Sequence, residues 1–192
     1  QVYVTIDDPT HADAVCAAID ETIPEQFPVK TQTKDQRAFM SAAVEDLREE
    51  DASALIDTNY LGPLRMCQAV IPVMRAQGSG TIVNVSSMNA QAAFAFTGGY
   101  AASKAAMEAM SEALALEVQR FGISVAIVQP GVFDSAIARK SLPGASSTHY
   151  PGEVERLDEG RTAVAAGAPP LDDAARAIAA ILDDPDPPLR TP

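Results

Sequence analysis

Tryptophan is absent from this sequence of 192 residues, aromatic residues make up 5% of it, and it holds two histidines and two cysteines. Cys16 and Cys67 form no CxxC pair, and neither stands at metal-ligand spacing from His11 or His149, so no metal site is expected. Both cysteines lie in apolar, helix-like stretches and read as buried free thiols, which fits a reducing cytoplasmic setting. Basic residues are scarce. Fourteen Lys and Arg face 26 Asp and Glu, for a formal charge of −12 and a pI near 4.4, a surface that repels a phosphate backbone, so no nucleic-acid partner is expected. No apolar run is long enough to cross a bilayer, and the chain opens on strand-like residues rather than on a signal peptide. Without a GxSxG elbow, and with neither histidine in a triad context, a serine hydrolase is disfavoured.

What is present suits an ordinary globular domain. Hydrophobic residues make up 47% and charged residues 21%, and the length allows one domain with a sizeable core, spanning residues 1–192. Val2 to Ile6 reads as a strand, stopped by Asp7-Asp8-Pro9, and residues 12–20 have helical character. Residues 49–76 read as a long helix interrupted at Gly62-Pro63. Thr81 to Val85 is a short, nearly continuous apolar run, as in a strand covered on both faces. Tyr100 to Arg120 is a strong helix that ends at Gly122. Ile123 to Val128 is a second buried strand, closed by Pro130-Gly131. Residues 138–170 are rich in Pro, Gly and Ser with little periodicity, and read as a mobile segment over a site. Leu171-Asp172-Asp173 caps a helix through Leu182, and a Pro-rich polar tail follows. Alternation of this kind predicts an α/β fold, a doubly wound parallel sheet with helices on both faces.

Three features in this frame carry chemistry. Tyr100 and Lys104 are four apart at the start of the strong helix, which puts them on one face. A phenol beside a fixed ammonium has its pKa lowered, because the cation stabilises the phenolate, and can then exchange protons near neutral pH. By itself this spacing is a weak signal, better read as a surface lysine on a helix. Ser86-Ser87 ends the first buried strand, thirteen residues earlier. Ligands of open α/β sheets bind beyond the carboxyl ends of strands, where a hydroxyl can donate to a carbonyl oxygen. Of two adjacent serines, one functional and one structural is the fair expectation. Pro130-Gly131 ends the next strand at the same edge.

Asn84-Val85-Ser86-Ser87, then Tyr100-Ala-Ala-Ser-Lys104, then Pro130-Gly131, occurring in this order and spacing, resembles the short-chain dehydrogenase/reductase family over residues 53–135. Residues 171–192 resemble the end of its retinol- and steroid-dehydrogenase-like members. The resemblance implies a Rossmann-type fold, with Tyr100 as acid/base, Lys104 binding the nicotinamide ribose, Ser87 rather than Ser86 orienting the carbonyl oxygen, and Asn59 holding a proton-relay water. It implies that Pro130, Gly131 and Val132 touch the nicotinamide and that Ser135 contacts its carboxamide. It also implies NAD or NADP as cofactor, a small alcohol or carbonyl substrate and a homodimer or homotetramer built on the alanine-rich Tyr100 helix. Asp7, at the end of the expected second strand, disfavours a 2′-phosphate and leans the cofactor towards NAD. Asp7 and Asp8 serve equally well as the acidic start of a helix. Residues 138–170 would be the substrate lid, with Phe133, Ile137, Leu142 and Tyr150 lining an apolar pocket and His149 on the surface.

The sequence departs from that family in two of its motifs. No TGxxxGxG stretch, whose backbone would approach a pyrophosphate, and no Asn-Asn-Ala-Gly stretch is found. Either half of the nucleotide site is lost, leaving a non-catalytic regulatory or interaction protein, or segments of the intact protein fall outside this sequence. The second is expected, because the remaining strands would otherwise expose apolar faces. An intact mass near 20.1 kDa would contradict it.

Overall fold

A computed structural model describes residues 42–133 and 149–192, so the expected strand at residues 2–6, the helix at 12–20, Asp7, Ser135, Ile137 and Leu142 lie outside the described residues. Helix α1, Glu49–Ile56, opens with Glu49, Glu50 and Asp51 at its positive end. It passes through a π turn, Asp57–Leu61, into α2, Gly62–Gln77. The single interrupted helix expected over residues 49–76 is therefore two α-helices joined by a wide turn. Pro63 explains the widening: it has no N–H to offer the carbonyl of Asn59, and its ring crowds that carbonyl.

Gly78 (φ 73°) ends α2 in the left-handed conformation, and strand β1, Gly80–Val85, follows. Helix α3, Gly98–Val118, closes through a 3-10 turn on Gly122 (φ 71°), which leads into β2, Ile123–Val128. A Cβ on Gly122 would run into the carbonyl of Gly78. The two helix-ending glycines thus meet at the amino edge of the sheet. Beyond them β1 and β2 pair in parallel, from Gly80 opposite Ile123 to Val85 opposite Val128.

Two segments differ from their expected form. Within residues 138–170, which lack visible periodicity, Glu153–Ala166 is a helix, α4. Most of its described residues are solvent-exposed, so it carries little of the apolar spacing by which a packed helix is recognised. The polar tail contains strand β3, Arg190–Thr191, parallel to β2 and bonded to it by Ile127 N–H to the Leu189 carbonyl (2.7 Å) and Gln129 N–H to the Thr191 carbonyl (2.8 Å). A two-residue strand has no pattern to read. The last helix, α5, Leu171–Asp183, has the expected extent, but Asp172 and Asp173 sit in its first turn and no side chain caps it.

The sheet order is β1-β2-β3. Strand alternation sends Ile82 and Val125 to one face, against Cys67 of α2 and Leu114 and Val118 of α3. Val83, Ala126 and Val128 go to the other face, against Ile178 and Ile181 of α5. The result is the expected Rossmann-type arrangement, a parallel sheet with helices on both faces. Its strand ends Val85 and Val128 share one edge. Burial of Cys67 pushes its thiol pKa up, as for an inert buried cysteine.

Candidate active site

The shared carboxyl edge of β1 and β2 is where the candidate residues meet. Lys104 reaches it from α3, its Nζ donating to the carbonyl of Val85, the last residue of β1 (2.9 Å). The same Nζ lies 5.9 Å from the ring centroid of Tyr100, one helical turn earlier. Burial pulls the Lys104 ammonium down to about 8, and the carboxylate of Glu108 opposes that shift. A lysine of this kind titrates within reach of physiological pH, unlike a surface lysine.

The two serines at the end of β1 part company. Ser86 is buried, its N–H continuing the ladder to the Val128 carbonyl (2.7 Å) and its hydroxyl donating to Glu108 Oε1 (2.5 Å). Ser87 is half-buried, and its Oγ accepts from the N–H of Asn89 (3.2 Å), which caps the 3-10 turn Met88–Ala90. Its hydroxyl hydrogen is not used by that bond.

Asn59 lies in the π turn, and its Nδ2 donates to Ser103 Oγ (3.0 Å), which in turn donates to the carbonyl of Tyr100 (2.7 Å). The wide turn and the tyrosine helix are thereby tied together at the site. Beyond β2, the carbonyl of Pro130 accepts from Met88 N–H (3.2 Å), joining the two strand-end loops. Gly131 and Val132 are exposed, and a Cβ on Gly131 would stand 3.1 Å from Sδ of the exposed, flexible Met88 side chain. Phe96 holds a left-handed backbone (φ 63°), fixed by Ala42 N–H on its carbonyl (2.7 Å) and by an edge contact of its ring with Tyr150 (5.4 Å between centroids). His149 is exposed.

Thus Tyr100, Lys104, Ser87, Asn59 and the Pro130–Val132 segment belong to one region, whereas Asp7 and Ser135 are outside the described residues. Sequence reasoning missed Glu108, Gln129, Gln91, Ser103 and Arg190. The one signal available for Glu108 was its place four residues after Lys104, on the inner face of a helix whose outer face is alanine-rich.

The match to a family model for short chain dehydrogenase runs over residues 38–145. The chain belongs to the short-chain dehydrogenase family. It is 38% identical over 135 residues to 3-ketodihydrosphingosine reductase of Bacteroides thetaiotaomicron, covering 70% of this chain and 50% of that protein. Among solved structures, a short-chain dehydrogenase from Streptomyces avermitilis is similar at a TM-score of 0.69 with 31% identity, over 99% of this chain and 68% of that one. A short chain dehydrogenase from Burkholderia cenocepacia in complex with NADP is similar at a TM-score of 0.50 with 29% identity, over 65% and 50%. The chain spans about half the length of the curated relatives it matches. In this family the parallel sheet, the Tyr-x-x-x-Lys helix and the strand-end serine form one framework, and the present chain has all three. Among the described residues no helix is long and apolar enough to cross a membrane.

Proposed function

We propose that this chain carries the catalytic half of a nicotinamide-dependent oxidoreductase that interconverts an alcohol and a carbonyl compound. The observation that carries this reading is the half-buried Lys104, its ammonium anchored on the end of β1 one turn from Tyr100. The donors present fit the nicotinamide end of the cofactor: a hydroxyl and an ammonium for ribose oxygens, and beside them the Pro130–Val132 loop, half-buried at Pro130 and exposed at Gly131 and Val132. The cofactor supplies the hydride. Ser135, outside the described residues, belongs to this assignment by resemblance.

In carbonyl reduction, Tyr100 donates its phenolic proton to the oxygen that becomes the alcohol. Ser87 donates a hydrogen bond to the same oxygen and stabilises the charge that gathers there. Lys104 holds the ribose and keeps positive charge beside the phenol, so the proton leaves Tyr100 more easily. Asn59, tied through Ser103 to the Tyr100 turn, takes by resemblance the role of holding the water that resupplies the proton. In alcohol oxidation each of these proton movements reverses.

Apolar side chains near the site, Met88, Phe94 and Val132, are exposed, and Phe133 is half-buried. Together with the relative named 3-ketodihydrosphingosine reductase, they support a medium-sized apolar alcohol, ketone or lipid-like carbonyl. Residues 138–170 would cover it as a lid within a single domain of residues 1–192. The exposed face of α3, with Ala102, Ala105, Ala109, Ala113 and Leu116, supports a homodimer or homotetramer. Asp7 supports NAD over NADP, against the precedent of the NADP-bound relative.

The test is a titration of the intact protein with NADH and NADPH, followed by nicotinamide fluorescence. Saturable binding of either, weakened in Lys104→Ala, is expected, and the tighter of the two settles the cofactor. No binding of either to folded protein overturns this reading in favour of a non-catalytic member of the family, the alternative that the missing glycine-rich turn supports.

A further inference from the structure

We propose that Glu108 is the positioning residue of this site: its buried carboxylate draws Ser86, Gln91 and Gln129 onto α3 and so holds Ser87 and Pro130–Val132 in register with Tyr100 and Lys104. The inference rests on the dehydrogenase reading for the roles of those residues, but not for the contacts.

Glu108 is 4% exposed. Its Oε1 accepts from Ser86 Oγ (2.5 Å) and from Gln129 Nε2 (3.0 Å), and its Oε2 accepts from Gln91 Nε2 (2.9 Å) and from Gln129 Nε2 (2.9 Å). Each donor is a neighbour of a segment assigned to the site. Ser86 precedes Ser87, Gln129 precedes Pro130, and Gln91 closes the turn that Ser87 caps. A single side chain on the tyrosine helix therefore gathers the ends of β1 and β2 and the loop that follows β1.

The charge matters as well as the bonds. A carboxylate is costly to bury, and a well-packed apolar side chain in its place would usually be no less stabilising. The charged groups facing it are Lys104 one turn earlier on α3, and Arg190 of β3, whose Nε lies 3.7 Å from Oε2 and which also pairs with Glu112 on the outer side. The facing groups at the ends of β1 and β2 and in the loop, Ser86, Gln129 and Gln91, are neutral. Glu108 is thus a source of negative charge beside the buried Lys104 ammonium, opposing the desolvation that would strip its proton.

The test reads Lys104 directly, in protein without cofactor or substrate. The sequence contains only Lys30, Lys34, Lys104 and Lys140, so lysine labelled with 13C at Cε gives a spectrum in which Lys104 is identified by its loss in Lys104→Arg. Glu108→Gln keeps the shape and removes the charge. It is expected to lower the Lys104 midpoint by roughly half a unit or more, about a threefold change in its protonation equilibrium, and to displace the amide signals of Ser87 and Gly131. Exchange of the pair, Glu108→Gln with Gln129→Glu, returns a carboxylate and a matched donor to the same pocket and is expected to bring the midpoint and both amides back towards the parent. A folded Glu108→Gln protein with unchanged Lys104 titration and unchanged amides overturns the proposal and leaves Glu108 as packing. Should that variant not fold, the exchanged pair decides: parent-like titration supports the proposal, and a displaced midpoint overturns it. Failure of nicotinamide binding would remove the dehydrogenase reading without touching either result.

Discussion

Lys104 has a cost that its position makes measurable. Its folded pKa is lowered to about 8 by burial, against 10.5 for an unburied lysine. Below pH 8 both folded and unfolded chains carry the proton, and the folded chain bears the full penalty of burying the charge. Between pH 8 and 10.5 the unfolded chain holds more protons than the folded one, so stability rises with pH. The penalty relieved is on the order of 3 kcal/mol. Denaturant unfolding of the parent and of Lys104→Met across this window is expected to show that rising component in the parent alone; parallel curves would mean that the ammonium is not buried. For Tyr100, the phenylalanine variant is expected to lose turnover by roughly 10²–10⁴-fold while nicotinamide binding changes by only a few-fold, as measured by steady-state rates beside fluorescence titration. Tyr100, Lys104, Ser87 and Asn59 were legible in the sequence because their order and spacing carry the family pattern. Glu108 and Gln129 were not. They are 21 residues apart and meet only because β2 returns beside β1 and α3 packs over both.

At the scale of elements, strands β1 and β2 and helix α3 were legible because apolar runs and an alanine-rich period specify them: β2 has the expected limits, β1 begins one residue earlier, and α3 is shifted by two residues at each end. Helix α4 and strand β3 were not, since one has a weak apolar face and the other owes its form to pairing. The register of β1 against β2 depends on the turns that precede them, and there the two left-handed glycines differ in kind. A methyl group on Gly78 meets nothing within 4 Å, whereas one on Gly122 meets the Gly78 backbone. Gly78→Ala is therefore expected to cost only the left-handed backbone, about 1–2 kcal/mol. Gly122→Ala adds a backbone clash and should cost distinctly more, with the midpoints of urea unfolding giving the comparison. Equal losses would show that the two turns move apart freely.

For the whole molecule, the layered α/β plan was legible from alternation alone, while the closing of the sheet by the tail was not. Deleting residues 189–192 removes β3, leaves the N–H groups of Ile127 and Gln129 without partners and takes Arg190 from Glu108. Two strand-pairing hydrogen bonds exchanged for bonds to water cost on the order of 1–3 kcal/mol. A lower thermal midpoint and weaker nicotinamide binding are expected together, because Gln129 leads into Pro130; an unchanged midpoint would show the last strand to be dispensable. Helix α3 has one more consequence. Tyr100, Ser103, Lys104, Met107, Glu108, Ser111, Leu114 and Val118 share its inner side, so proton chemistry, loop anchoring and core packing are all indexed on one rod. One residue inserted between Lys104 and Glu108 would turn everything downstream by about 100° and slide it by about 1.5 Å, setting the core half against the chemical half. Substitutions on the outer alanines leave that indexing intact. From Tyr100 to Val118 the outward-facing positions can drift in composition, but the length of the rod between its two ends cannot change.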